Sequence, residues 1–182
     1  MIISLEEALK LDADATQDAD AIQEACDGME TMVRNLTNNN FQLTKFRIRG
    51  LKLSGNTIKA NSGRVDIFKL GDTIEINGTD YNDGLYVVES VSDDVITIRG
   101  DFITETNSGA IATKVSYPAD VLTGVKKLIS YDAKMRDKAG IKSETVARWS
   151  VTYYDVTAAE SSEGYPVSLL GFLDKYRKLR WS

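Results

Sequence analysis

The chain has 182 residues, 42% of them apolar, and a formal net charge of −5 with no histidine. That length and apolar share support one domain or two small ones with a buried core, and exclude disorder as a description of the whole chain. The missing histidine excludes Ser-His-Asp and Cys-His nucleophiles and His-based zinc sites; carboxylate or lysine chemistry stays open as a weaker option, and the expectation is a non-enzyme with no cofactor.

The opening "MIISLEEALKLDAD" lacks the basic start and apolar run of a secretory signal. Ser4 and Glu7 have the spacing of a capping box, in which each side chain satisfies the other residue's amide. Leu5, Ala8 and Leu9 follow as a short apolar face. The acid-rich "DADATQDAD" resembles a calcium loop only superficially. Counted from Asp12, its sixth and twelfth places hold Gln17 and Gln23 rather than glycine and glutamate. Asp14 or Asp18 is better read as the cap of a second helix, over residues about 17 to 36, whose stripe is Ile22, Cys26, Met29, Val33 and Leu36. Cys26, on that stripe, reads as a small buried hydrophobe, and as the only cysteine it fits a reducing compartment. "TNNN" stops the helix.

From Phe41 to Val115 the period changes to two, with frequent turn pairs. "FQLTKFRIRGLKLSG" alternates, and Gly71-Asp72, Asn77-Gly78 and Asn82-Asp83-Gly84 mark turns. Two further strands are expected around Leu85–Val91 and Val95–Arg99. Several short strands in about 75 residues predict a small closed or nearly closed barrel, because closure removes reactive edges.

Pro118 then opens a helix with Leu122, Val125, Leu128, Ile129 and Met135 inside, and Lys126, Lys127, Lys134 and Arg136 outside. Gly140 is expected to end it. "ETVARWSVTYYDV" alternates as one strand, with Ala147, Trp149, Val151 and Tyr153 on one face. After the polar "TAAESSEG", a last helix starts at Pro166 and is expected to bury Leu169, Leu170, Leu173, Tyr176 and Leu179.

The expected fold is therefore α+β: a small helical frame of about four helices (residues 1–40 and 118–182), with a β-barrel module inserted at 41–117 and a short C-terminal strand or hairpin. Charge is divided along it. Residues 1–40 carry a net −7, residues 41–117 a net −1, and residues 118–182 a net +3. Opposite signs in one chain point to complementary contacts within a subunit or between neighbours. The net −7 argues against a DNA-reading helix-turn-helix at the start. Lys45, Arg47, Arg49 and Lys52 on the barrel, with Phe41 and Phe46 near them, keep open an alternative as a nucleic-acid-binding accessory protein.

The C-terminal "GYPVSLLGFLDKYRKLRWS" ends an acidic chain with four basic residues and a tryptophan. Cations at a helix's last turn meet its dipole. Arginine and tryptophan are also enriched at interface hot spots. Tyr176, Arg177, Lys178, Arg180 and Trp181 are therefore the candidate interaction residues, for a partner or a neighbouring subunit.

"AGIKSETVARWSVTYYD" and "GYPVSLLGFLDKYRKLRW" together resemble the tailed-phage head–tail connector family, small adaptor proteins also found in prophages. The matching positions are Gly140 to Glu144, Ser150 to Tyr153, Gly164 to Pro166, Leu173, Tyr176, Arg177, Arg180 and Trp181. The acidic "ADAIQEACDGMETMV" helix also suits the family's N-terminal part. Residues 41–117 depart from the compact family form. Their "GDTIEINGTDYNDGLYVVESVSDDVITI" is similar to small β-barrel modules of other phage structural proteins. The resemblance implies a homo-oligomeric ring beneath the portal in the virion neck, assembled in the bacterial host cytoplasm. It implies contacts with the portal protein and with tail or stopper proteins, and double-stranded DNA passing through the bore without specific binding. The C-terminal segment would dock on the portal. No membrane is involved in this reading.

Overall fold

A computed structural model describes residues 1–11, 19–135, 143–146, 149–152 and 161–179. The fold is α+β, and it divides into two compact units: Met1 with Asn39–Tyr117, and Ile2–Asn38 with Pro118–Ser182.

The β unit contains β1 (Gln42–Ser62), a short 3-10 turn at Val65–Ile67, β2 (Thr73–Asn77), β3 (Gly84–Ser92) and β4 (Val95–Val115). They form a four-stranded antiparallel sheet in the order β1-β4-β2-β3, with a further ladder between β3 and β4. Where a closed barrel is the sequence expectation, these ladders are what is observed. The last expected strand is much longer than Val95–Arg99, running on to Val115. Its first part pairs with the end of β3, Val88 to Ser92, and its last part with β2, Thr73 to Asn77.

One strand can serve two partners because it and β1 are bent. The β1–β4 register shifts between Arg49 and Leu51 and again on either side of Gly55. Gly50 and Gly55 there have φ of 66° and 53°, a region that a Cβ disfavours and that bulges exploit to turn a strand. The bends curl alternate side chains around one core. Ile48, Leu51, Leu53, Ile58, Ile74, Ile76, Ile96 and Ile98 are all essentially inaccessible to solvent, each contributing about 1.5–3 kcal/mol by burial. The "NDG" stretch is more than a turn. Asn82 is buried, its amide nitrogen donating to the Ile103 carbonyl and its amide oxygen accepting from the Ile103 N–H, each at 2.9 Å. It thus ties the loop to β4.

The ends of the β unit meet. Ser116 N–H donates to the Phe41 carbonyl at 3.0 Å, and the Phe41 and Tyr117 rings lie 4.8 Å apart, tilted. Phe41 sits at a φ of 51°, an unusual conformation for a bulky residue. Its N–H donates to Asn39 Oδ1 at 3.0 Å.

The helical unit holds α1 (Leu5–Leu11), α2 (Ala19–Thr37), α3 (Ala119–Met135) and α4 (Val167–Leu170), the last continued by a 3-10 turn at Gly171–Tyr176. In α2 the residues Ile22, Cys26, Met29 and Val33 are buried, as their spacing requires. Burial raises the Cys26 thiol pKa. Glu30 is buried too, accepting the Ile2 N–H at 2.9 Å. The capping box is half formed. Ser4 Oγ accepts the Glu7 N–H at 3.3 Å, while the Glu7 carboxylate pairs with Lys126 at 2.8 Å. α3 buries Val121, Gly124, Val125 and Leu128, with Leu122 and Ile129 half-buried.

The C-terminal region differs most from expectation. Of the strand or hairpin expected across "ETVARWSVTYYDV", the structure has the hairpin: β5 (Ser143–Val146) and β6 (Trp149–Thr152), paired antiparallel with Val146 opposite Trp149. The polar stretch before the last helix carries a miniature hairpin, β7 (Ser161–Ser162) and β8 (Tyr165–Pro166). Its turn residues Glu163 and Gly164 have φ of 52° and 82°, as a two-residue hairpin turn demands. The last helix closes at Tyr176, because Arg177 is extended (φ −64°, ψ 128°). Leu179, expected inside, is 78% exposed. Gly140, Tyr153, Arg180, Trp181 and the "DADATQD" stretch lie outside the described residues.

Replacing Gly50 with alanine would force a Cβ into the left-handed region and to 3.0 Å from the Asn61 Cβ. Gly50→Ala is expected to cost about 1–2 kcal/mol in urea unfolding followed by circular dichroism. An unchanged midpoint would show that the bend does not need glycine.

Candidate assembly surface

The candidate interaction residues follow from how the last turn is held. α4 and its 3-10 extension bury Leu170 and Leu173 and pack on α3, the extension reaching α2 as well. Gly124 of α3 makes the close fit possible: Phe172 ring atoms stand 2.4 Å from where a Cβ would lie. Upstream, Tyr165 donates its hydroxyl to Asp132 at 2.5 Å, its ring 6.0 Å from that of Tyr131. Burial and that carboxylate push the phenol's pKa up.

Past Leu173 the contacts turn polar. Tyr176 donates its hydroxyl to Asp120 Oδ1 at 2.7 Å, and Lys175 Nζ lies 2.6 Å from Asp120 Oδ2. Asp120 is in the first turn of α3, where a carboxylate meets the positive end of the helix. The Lys175 ammonium first, then the Tyr176 hydroxyl, lower its pKa from 3.8 to about 2. The same contacts raise both Lys175 and Tyr176.

Beyond Tyr176 the main chain carries the attachment. Lys178 N–H donates to the carbonyl of Thr37, the last residue of α2, at 2.8 Å. This is one of the acceptors that a helix end leaves without an intrahelical donor. Asn38 Nδ2 donates to the Leu179 carbonyl at 3.1 Å. With the backbone so engaged, the side chains of Arg177 and Lys178 are exposed. Among the described residues Arg177 reaches only Asp174, at 3.3 Å on the surface, a contact of small energetic weight.

Of the residues singled out from sequence, then, Tyr176 anchors the segment inward, and Arg177 and Lys178 face solvent from an extended strap rather than from a helix's last turn. Sequence reasoning missed Asp120, Thr37 and Asn38. Asp120 beside Pro118 reads locally as an ordinary first-turn acid, and a carbonyl acceptor leaves no mark in a sequence. On the β unit, Phe41 is buried while Phe46 remains 39% exposed, so one of the two candidate base-stacking rings is in the core. Among the described residues no group of three or more acids and cysteines is placed to hold a metal ion. None of the described helices is long and apolar enough to cross a membrane.

Asp120, with its lowered pKa, stabilises the fold fully above 3.8, and that contribution fades as the pH falls through about 2, where the folded state also takes up the proton. Asp120→Asn is therefore expected to lower the thermal midpoint at about pH 6 and to differ much less from the parent near pH 2. An equal difference at both pH values would rule out the ionic contact as its origin.

No family model matches this sequence, and no curated protein matches it, so the resemblance to connectors rests on the motif residues themselves.

Proposed function

We propose that this chain is a structural protein of a tailed-phage particle, a head–tail connector subunit that assembles with copies of itself beneath the portal and attaches the tail. The observation that carries the reading is the strap after Tyr176. Its backbone is tied to the end of α2, while two cations, Arg177 and Lys178, are left facing outward. Such an arrangement presents charge to a partner without loosening the subunit, and pre-ordering the segment lowers the entropic cost of docking. In this reading Arg180 and Trp181 extend the same anchor onto the portal.

The acidic balance of the chain is compatible with a conduit, since a net-negative wall repels phosphates instead of gripping them. For the β unit we infer a small, nearly closed barrel. The support is the circuit of ladders from β4 through β2 and β3 back to β4. It would serve as an added contact surface on the helical subunit.

Reversing both cations, in Arg177→Glu/Lys178→Glu, leaves the main-chain bonds of the strap in place and gives up only the weak surface pair of Arg177 with Asp174. The variant is expected to keep its circular dichroism and thermal midpoint while losing attachment to portal-containing capsids, scored by co-sedimentation. A chain truncated after Leu173 should fail in the same assay and keep its β unit folded. Normal capsid attachment by the folded double variant would refute the anchor.

A further inference from the structure

A groove of about 480 Å3 lies on the helical unit where the end of α1 meets α3 and α4. Its apolar lining includes Leu11, Tyr131 and Leu169, and its rim carries Lys126, Lys127 and Lys134. Lysine stems cover apolar surface while their ammonium groups stay in water, so the groove suits a surface that is smooth, modestly apolar and acidic. Lys126 is already paired with Glu7. Among the described residues neither Lys127 nor Lys134 has a carboxylate partner, and both are exposed. Seven residues apart on one helix, they stand about 10.5 Å from each other on one face.

The matching surface is on α2. Asp20, Glu24 and Asp27 are exposed, with Ala21, Ala25 and Gly28 exposed among them. Asp20 and Asp27 share the seven-residue spacing and hence the same span of about 10.5 Å. The small residues leave no bulk to hold another helix away. This face is opposite to the one buried through Ile22, Cys26, Met29 and Val33. It points away from its own unit's core.

We propose that the lysine-rimmed groove of one copy receives the acidic α2 face of a second copy. The inference rests on the reading of the chain as a self-assembling subunit, and it names the surfaces. Donor and acceptor surfaces differ, so the contact is heterologous: each added copy leaves one free groove and one free acidic face until a ring closes. Opposed charges at matched spacing set the register and steer the approach, and added salt weakens both.

Two chains test it, each in a Cys26→Ala background, one with Glu24→Cys and one with Lys127→Cys. Mixed under mild oxidation, they are expected to form a disulfide-linked heterodimer that neither forms alone. In parallel, Lys127→Glu/Lys134→Glu and Asp20→Lys/Glu24→Lys/Asp27→Lys are each expected to self-associate about tenfold more weakly than the parent by sedimentation velocity. Mixed with each other through their reversed faces, both again charge-matched, they should regain association. Association of the parent with no cross-link and no effect of either reversal would overturn these surfaces while leaving self-assembly intact. No cross-link combined with a parent that stays monomeric would overturn the inference too, with the capsid-attachment assay judging the connector reading separately. A folded monomer destabilised by Lys127→Glu/Lys134→Glu, again without cross-link, would mean that the chain's own acids fill the groove, and would likewise sink it.

Discussion

The helical unit is built from two stretches of chain separated by the whole β unit, and what holds the stretches together at the splice is the C-terminal strap. Thr37 is the last residue of α2 before the β unit, and Asp120 lies in the first turn after it. Residues 175–179 bind both: Lys175 and Tyr176 at Asp120, the backbone of Lys178 at Thr37. Closing a loop as long as the insertion has an entropic cost that grows only slowly with length. A few well-made contacts at its neck can therefore hold it. The β unit solves the same problem from its own side, with Phe41 and Ser116 hydrogen-bonded across its entrance.

The two kinds of contact at the strap respond differently to conditions. The Asp120 cluster is ionic and on the surface, sensitive to acid and to salt. The bonds of Thr37 and Asn38 are neutral amides that titrate nowhere. Apolar packing of Leu170 and Leu173 beneath them is indifferent to both. Between them they keep the strap ordered while the residues at its outer face carry charge into solvent.

Periodicity made much of this fold legible. The i, i+3, i+4 spacing of Ile22, Cys26, Met29 and Val33 is enough to orient α2, because a helix with one apolar face has one way to bury it. The change of period at Phe41 locates the start of β1 to within a residue. What stayed hidden depends on contacts distant in sequence or on backbone detail. Nothing near Arg177 marks the end of a helix, since the extended chain there is held through the next residue, Lys178, whose N–H bonds Thr37, 141 positions before it. Leu179 therefore looked like the next residue of an apolar stripe. Val95 to Val115 read as a short strand and a remainder because its bends interrupt the alternation. Nor does the sequence mark Glu30 as buried, since what it meets there is the amide of Ile2, 28 positions away. In the candidate site, Tyr176 and the exposed cations could be picked out by type, but the residues that hold them could not.

The main-chain character of the strap's attachment has a consequence for how the protein can change. A carbonyl on Thr37 accepts from whatever amide stands at position 178, and an asparagine at 38 donates to any carbonyl at 179. The identities of the outward side chains at 177 and 178 are thus uncoupled from the fold, and substitution there can retune affinity for a partner at little cost to folding. Proline at 178, which lacks the N–H, is the replacement this geometry forbids. The fold thus sets a tip whose side chains are free to change on a mount held by main-chain bonds.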